Sequence, residues 1–282
     1  MKTLLLILFL STCCAFAETK TDIEYARVGD QALKLDLYLP KVVNPPLLIY
    51  VHGGAWRAGS KTDVPILKLL NHGFAIASMD YRLSIEAAFP AQVHDIKAAI
   101  RFLRAKAEHY HLNAADVGIV GSSAGGHLAA LVGVTNGHPA LEGTVGQPLS
   151  QSSSVQCIVS LYGASNLQTI LSQSTDIGLQ MRVPALELLL GGQPDQKPEL
   201  ARLASPVAQL DSKDPPLLLI HGDADPQMPS AQSQEFEQAY KALSLPVQYL
   251  VMPESKHGGP EFYDSERAAI MARFLQTHLV KK

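Results

Sequence analysis

The feature that most restricts this chain is a series of short apolar runs, each followed by a segment with helical periodicity. Leu47–His52, Ala75–Met79, Val117–Gly121, Gln156–Leu161, Leu217–His221 and Val247–Met252 are strand-length runs, several of them almost continuously apolar. A strand with no polar positions must be buried on both faces, which happens in parallel sheets covered by helices. Ile23–Val28 and Leu33–Leu39 instead alternate, as in LKLDLYL, and suit an antiparallel edge. In Ala91–Tyr110 the residues Val93, Ile96, Ile100, Leu103 and Ala107 step by three and four and form one core-facing stripe. Ser123–Val134, Ser230–Leu243 and Ser265–Leu279 read as further helices. The pattern predicts an α/β fold: a mostly parallel eight-stranded sheet with helices on both faces, in one domain over residues 18–282. Gly137–Ser154 and Asn166–Pro198 read as surface insertions, the second placed to cap a site.

With 282 residues, 47% of them hydrophobic, the chain can bury a sizeable core. Charged residues make up 17%, the net charge is -3, and no Lys/Arg run tracks a phosphate backbone, so no nucleic-acid partner is expected. The first residues, MKTLLLILFLSTCCAFA, have a lysine, an apolar run from Leu4 to Leu10 and small residues ending in Ala15-Phe16-Ala17. This is the layout of a secretory signal peptide with cleavage before Glu18. The run is far shorter than the about 20 residues that span a bilayer, so a secreted or periplasmic protein without stable membrane insertion is expected. Cys13 and Cys14 fall in the leader, which leaves Cys157 in a buried-strand pattern and no internal disulfide.

In GIVGSSAGGHLAAL, residues 118–131, two adjacent serines sit on the turn between a buried strand and a helix. A G-x-S-x-G elbow needs glycines two before and two after the nucleophile, because strand and helix approach closely there. Gly121 and Gly125 bracket Ser123 in this way, whereas Ser122 is flanked by Val120 and Ala124. A serine hydroxyl needs a base, and the base needs an orienting carboxylate. HGDADPQMP places Asp223 and Asp225 at the end of a strand, with Asp223 reading more readily as a turn former. PESKHGGP places His257 in the loop after the last strand, before the last helix. An acyl-transfer site also needs fixed oxyanion donors. The amide of Ala124 at a helix start is one candidate, and the glycine loop in YVHGGAW is the source of others. His94, His109, His127, His138 and His278 have helix or insertion positions, and His221 reads as shaping a turn. No histidine pair has a third ligand at metal spacing, so no metal is expected, and acyl transfer by a serine, a histidine and a carboxylate requires no cofactor.

Taken together, HGGAW, DYRLS…FPAQVHDIKAAIRFLR, GSSAGGHLAAL and HGDADPQMP resemble the α/β-hydrolase esterases of the hormone-sensitive-lipase-like group. They are most similar to its bacterial feruloyl and acetyl-xylan-type branch, over about Ile23 to Leu279. The resemblance implies Ser123 as nucleophile, Asp225 as triad acid and His257 as base, with oxyanion amides at Gly54, Ala55 and Ala124. Ala55 stands where many relatives carry a third glycine. Asp80, Arg82 and Asp95 match scaffold positions, and Trp56 with the Asn166–Pro198 insertion would build the acid and alcohol pockets. The implied partner is a small-molecule ester. Two rivals share this fold. One is a peptidase of prolyl-oligopeptidase type, which usually carries an N-terminal propeller for which the residues before Ile23 offer no room. The other is a binding protein, which would be expected to lack a triad member.

Overall fold

The computed structural model describes residues 16–279. Residues 1–15, which hold most of the expected leader, lie outside the described residues.

Eight strands form one sheet: β1 (Phe16–Val28), β2 (Gln31–Pro40), β3 (Pro46–Val51), β4 (Ala75–Met79), β5 (Asn113–Ser122), β6 (Cys157–Leu161), β7 (Leu217–Gly222) and β8 (Val247–Met252). Their order is β1-β2-β4-β3-β5-β6-β7-β8. The two alternating strands form the antiparallel edge, with β2 antiparallel to both β1 and β4, and all later pairings are parallel. This is the α/β-hydrolase fold expected from the sequence.

Side-chain alternation along β3 and β4 divides the core into two layers. Leu47, Ile49, Val51, Ala75 and Ala77 pack in one cluster with Val93, Ile96 and Ile100 of the helix Ala91–Ala105 and with Leu128 and Leu131 of the helix Ala124–Gly133. Leu48, Tyr50 and Ile76 face the other way, onto Met271 and Leu275 of the helix Ser265–His278. Helices therefore cover both faces, which is why these strands can be apolar throughout.

The helix read as Ala91–Tyr110 ends at Ala105 instead. Lys106 leaves helical geometry, and a single turn over Ala107–Tyr110 closes on His111 in the left-handed region (φ 54°). Tyr110 and Leu112 stay buried, so the apolar stripe continues in sequence while the backbone turns back toward β5.

The Asn166–Pro198 segment carries a helix, Asp176–Leu190, opened by Thr175, whose hydroxyl accepts from the Gly178 amide at 3.0 Å. Because β3, β5, β7 and β8 run parallel, the segments leaving their carboxyl ends gather on one side of the sheet, where ligand sites form in such folds.

Candidate active site

Ser123 sits between β5 and the helix Ala124–Gly133 with φ 56° and ψ −119°, a conformation that a non-glycine residue adopts only under tertiary constraint. Both bracketing glycines are required by contact. A Cβ on Gly121 would fall 2.0 Å from the Gly125 carbonyl oxygen, and one on Gly125 would fall 2.0 Å from the Val51 carbonyl oxygen. The turn lifts the Ser123 hydroxyl out of the sheet, where it donates to His257 Nε2 at 2.7 Å. His257 Nδ1 donates to Asp225 Oδ2 at 2.6 Å. The three sequence candidates thus form one hydrogen-bonded chain although they lie 134 and 32 residues apart.

The chain has a defined polarity. Burial opposes ionisation of Asp225, but hydrogen bonds from His221 and His257, and the amide of Met228, outweigh it and hold the carboxyl well below the usual carboxylate range. An ionised Asp225 can only accept. His257 therefore carries its proton on Nδ1, and the Nε2 lone pair faces the Ser123 hydroxyl. Asp225 Oδ1 takes the amides of Gln227 (2.8 Å) and Met228 (2.9 Å). His221, fully buried, donates from Nε2 to the Met228 carbonyl (2.9 Å) and to Asp225 Oδ2 (3.2 Å), while the Ser233 hydroxyl donates to its Nδ1 (2.7 Å). His221 shapes the turn as its sequence position suggests, but it also fixes the carboxylate. Asp223 is exposed, and its side chain accepts from the Glu254 amide at 2.7 Å.

Beyond β3, His52 donates from Nδ1 to the Gly53 carbonyl (2.8 Å) and stacks on Tyr81 (4.4 Å between centroids), whose hydroxyl bonds the His52 carbonyl. Gly54, Ala55 and Trp56 follow with φ of 111°, 51° and 61°. An alanine in the left-handed region costs about 1–2 kcal/mol, so the loop is held against intrinsic preference. The Gly54 carbonyl accepts from the Arg57 and Ala58 amides, which closes the turn. Gly54 and Ala55 line a cavity of about 510 Å³ together with Ser123 and His257, and Ala124 is the first helical residue after the serine.

Trp56 does not line this cavity, contrary to the sequence-based expectation. It is fully buried, and its Nε1 donates to His127 Nδ1 at 3.1 Å, while His127 Nε2 donates to the Ala204 carbonyl at 2.7 Å. The left-handed backbone at Trp56 turns the ring into the core, where a large aromatic with a satisfied N–H is most stable. The arrangement requires a neutral His127. Burial pushes its pKa down to about 4, with the Arg182 charge acting in the same direction and the bond to Ala204 against it. In the unfolded chain the ring titrates near 6.5, so between those values the unfolded state binds more protons. Stability should therefore fall as pH drops from about 6.5 to about 4, by at most about 3 kcal/mol, and level off below. His127→Gln can keep both hydrogen bonds without titrating, and should flatten this slope in chemical denaturation at stepped pH. Equal slopes in the two proteins would exclude His127 as the source.

Sequence reading missed several residues around Ser123. Ser122 Oγ bonds the hydroxyls of Tyr50 (3.1 Å) and Tyr263 (2.7 Å), and Tyr263 bonds that of Tyr162. Tyr162 also packs its ring against His257 at 4.9 Å. Met181 and Arg182, from the inserted helix, complete the wall. The i, i+1 placement of two polar groups on an elbow hints at the Ser122 network, but nothing local identifies its tyrosine partners. Asp80 Oδ1 accepts from the Lys61 amide (2.7 Å), and Arg82 and Asp95 form a two-armed pair (2.7 and 2.8 Å) outside the cavity wall. Among the described residues no group of three His, Cys, Asp or Glu could hold a metal, and no helix is long and apolar enough to cross a membrane.

The profile of the BD-FAE family matches residues 35–240, most of the chain and all of the site except the His257 loop and Tyr263. The chain belongs to the BD-FAE family. This BD-FAE member is 33% identical to the esterase LipC of Mycobacterium tuberculosis, over 76% of its own length and 53% of that protein. It spans little more than half the length of such curated relatives. Among solved structures it is similar to a truncated carbohydrate esterase from gut microbiota (31% identity, TM-score 0.86, covering 95% of this chain and 98% of that one). It also resembles a bifunctional GH43-CE protein of Bacteroides eggerthii (34% identity, TM-score 0.82, covering 92% of this chain and 35% of that one).

Proposed function

We propose that this protein is a serine esterase that hydrolyses carboxylic esters through an acyl-enzyme, acting after export as a secreted or periplasmic protein. The observation that carries the reading is the polarised chain Asp225–His257–Ser123, with its serine on the wall of a cavity that also exposes the Gly54–Ala55 loop. Ser123 Oγ attacks the ester carbonyl as its proton passes to His257 Nε2. Asp225 keeps the imidazole in the required tautomer and balances the imidazolium. The oxyanion is held by the amides of Gly54, Ala55 and Ala124, donors fixed before reaction that need no reorganisation. His257 then protonates the departing alcohol, and a water deprotonated by the same ring releases the acid.

Short-chain acyl, acetyl or feruloyl esters of plant-type carbohydrate are the proposed substrates. Similarity to a carbohydrate esterase over nearly the whole of both chains supports this class. The test is a panel of 4-nitrophenyl acetate, methyl ferulate, an acetylated xylo-oligosaccharide and a prolyl-aminoacyl anilide. Turnover of the acetates or the ferulate without the anilide is the expected result. Anilide cleavage alone would replace the reading with a peptidase, and failure on all four would leave a binding protein.

A further inference from the structure

Arg182 has an unusual place for a cation. It lies on the inserted helix, is 1% exposed, and forms part of the wall of the cavity that holds Ser123. Its Nη2 makes one long bond to the Gln227 carbonyl (3.3 Å), and its Nε has no partner among the described residues. No carboxylate pairs with it among the described residues. Asp225 is the charge that it senses, but that carboxylate already receives two backbone amides and two imidazole donors. The indole of Trp56 lies 6.0 Å from the guanidinium carbon, too weak a contact to stand in for an anion. A buried charge without a counter-ion is strongly unfavourable, and such groups are normally paired. On the same cavity wall, the side chain of the half-buried Arg57 reaches only the sulfur of Met181 (3.9 Å) among the described residues. Asp63 also borders the cavity, but it is exposed, so water screens its charge far more than that of the buried guanidinium.

We propose that Arg182, assisted by Arg57, is a carboxylate-recognition site, so that the preferred substrates are esters carrying a carboxylate elsewhere in the molecule. The inference rests on the proposed ester hydrolysis and narrows it. A neutral sugar hydroxyl could fill a hydrogen-bonding position on the guanidinium but would leave its charge uncompensated. A planar carboxylate matches both the fork geometry and the charge.

Two matched pairs locate the group. The acetates 3-acetoxybenzoate and 3-acetoxybenzamide place charge or its neutral isostere on the alcohol side. Monomethyl glutarate and its monoamide do so on the acyl side. The wild-type protein should prefer the carboxylate in one pair by about tenfold or more in kcat/KM, as expected for a charge-assisted bond. Arg182→Gln should bring that ratio close to one, and Arg182→Lys should keep part of it. Calorimetric binding of 3-hydroxybenzoate and glutarate against their amides reads the same preference without turnover. A protein that binds carboxylates over amides but cleaves no ester would overturn the esterase reading and support this one. A wild-type protein that treats both members of each pair alike overturns the inference, as does a preference that survives Arg182→Gln. Should that variant fail to fold, Arg57→Gln on the half-buried side chain must lower the ratio.

Discussion

Replacing Ser123 by alanine is expected to lower kcat by about 10⁶-fold with the fold intact, because removing the nucleophile of a serine triad leaves only the contribution of the oxyanion donors and binding. Gly121 and Gly125, not the hydroxyl, set the elbow, and among the described residues Ser123 Oγ bonds His257 alone. Ser122→Ala makes the contrast. Ser122 Oγ is committed to Tyr50 and Tyr263, so its loss removes two hydroxyl contacts worth about 1 kcal/mol each and should keep kcat within about tenfold of wild type. Ester turnover by both variants, with an organophosphate label mapped to its peptide, checks the assignment. A labelled Ser122, or two variants with exchanged phenotypes, would contradict it.

Asp225→Asn should lower kcat by about 10⁴-fold, the loss that follows when a triad histidine is held in the wrong tautomer. The reason lies in the donor count. Asp225 receives two amides on Oδ1 and two imidazole N–H groups on Oδ2. An asparagine must turn its NH₂ toward one of those donor pairs, so either His257 loses its acceptor and reverses its tautomer, or the turn at Gln227 and Met228 is disrupted. Asp223→Asn should change kcat by no more than about threefold. Its side chain takes a single amide, which an asparagine oxygen can still accept. Steady-state kinetics on the two variants decides the matter, and losses of similar size would show that the carboxylate has been assigned to the wrong strand-end position.

These two contrasts mark how far the sequence could be read. The elbow serine was legible because its signal is local. Glycines at 121 and 125, between a buried run and an amphipathic segment, leave one turn geometry that avoids collision of the two backbones. His257 was legible for a similar reason, since a strand followed by a glycine-rich loop puts it at a carboxyl end. Asp225 was less so, because Asp223 occupies the same turn and both side chains are acceptors near a strand terminus. What separates them is the position of His221, Met228 and His257 in space. The role expected of Trp56 was misread because its neighbours in sequence belong to the site loop. The left-handed backbone at that residue sends the ring inward to His127, and a residue's neighbours along the chain do not report that reversal.

The sequence by itself determined the layering and the side of the sheet on which chemistry can occur. Apolar runs long enough only for strands, separated by helical stripes, have few ways to bury both faces, and parallel strands bring their carboxyl ends together. Tertiary structure alone decided the walls of the cavity and the environment of each charge there. Tyr50 and Tyr263 meet Ser122 across separations of 72 and 141 residues, and Tyr162 meets Tyr263 across 101. Arg182 is a polar residue on an insertion helix until packing buries it in the wall of the cavity that holds Ser123, with no paired carboxylate among the described residues. Backbone geometry is encoded over a few residues, by glycine, by β-branching and by the period of the apolar positions. The desolvation and pairing of a polar group depend on every element packed around it, and that information exists only in the folded chain.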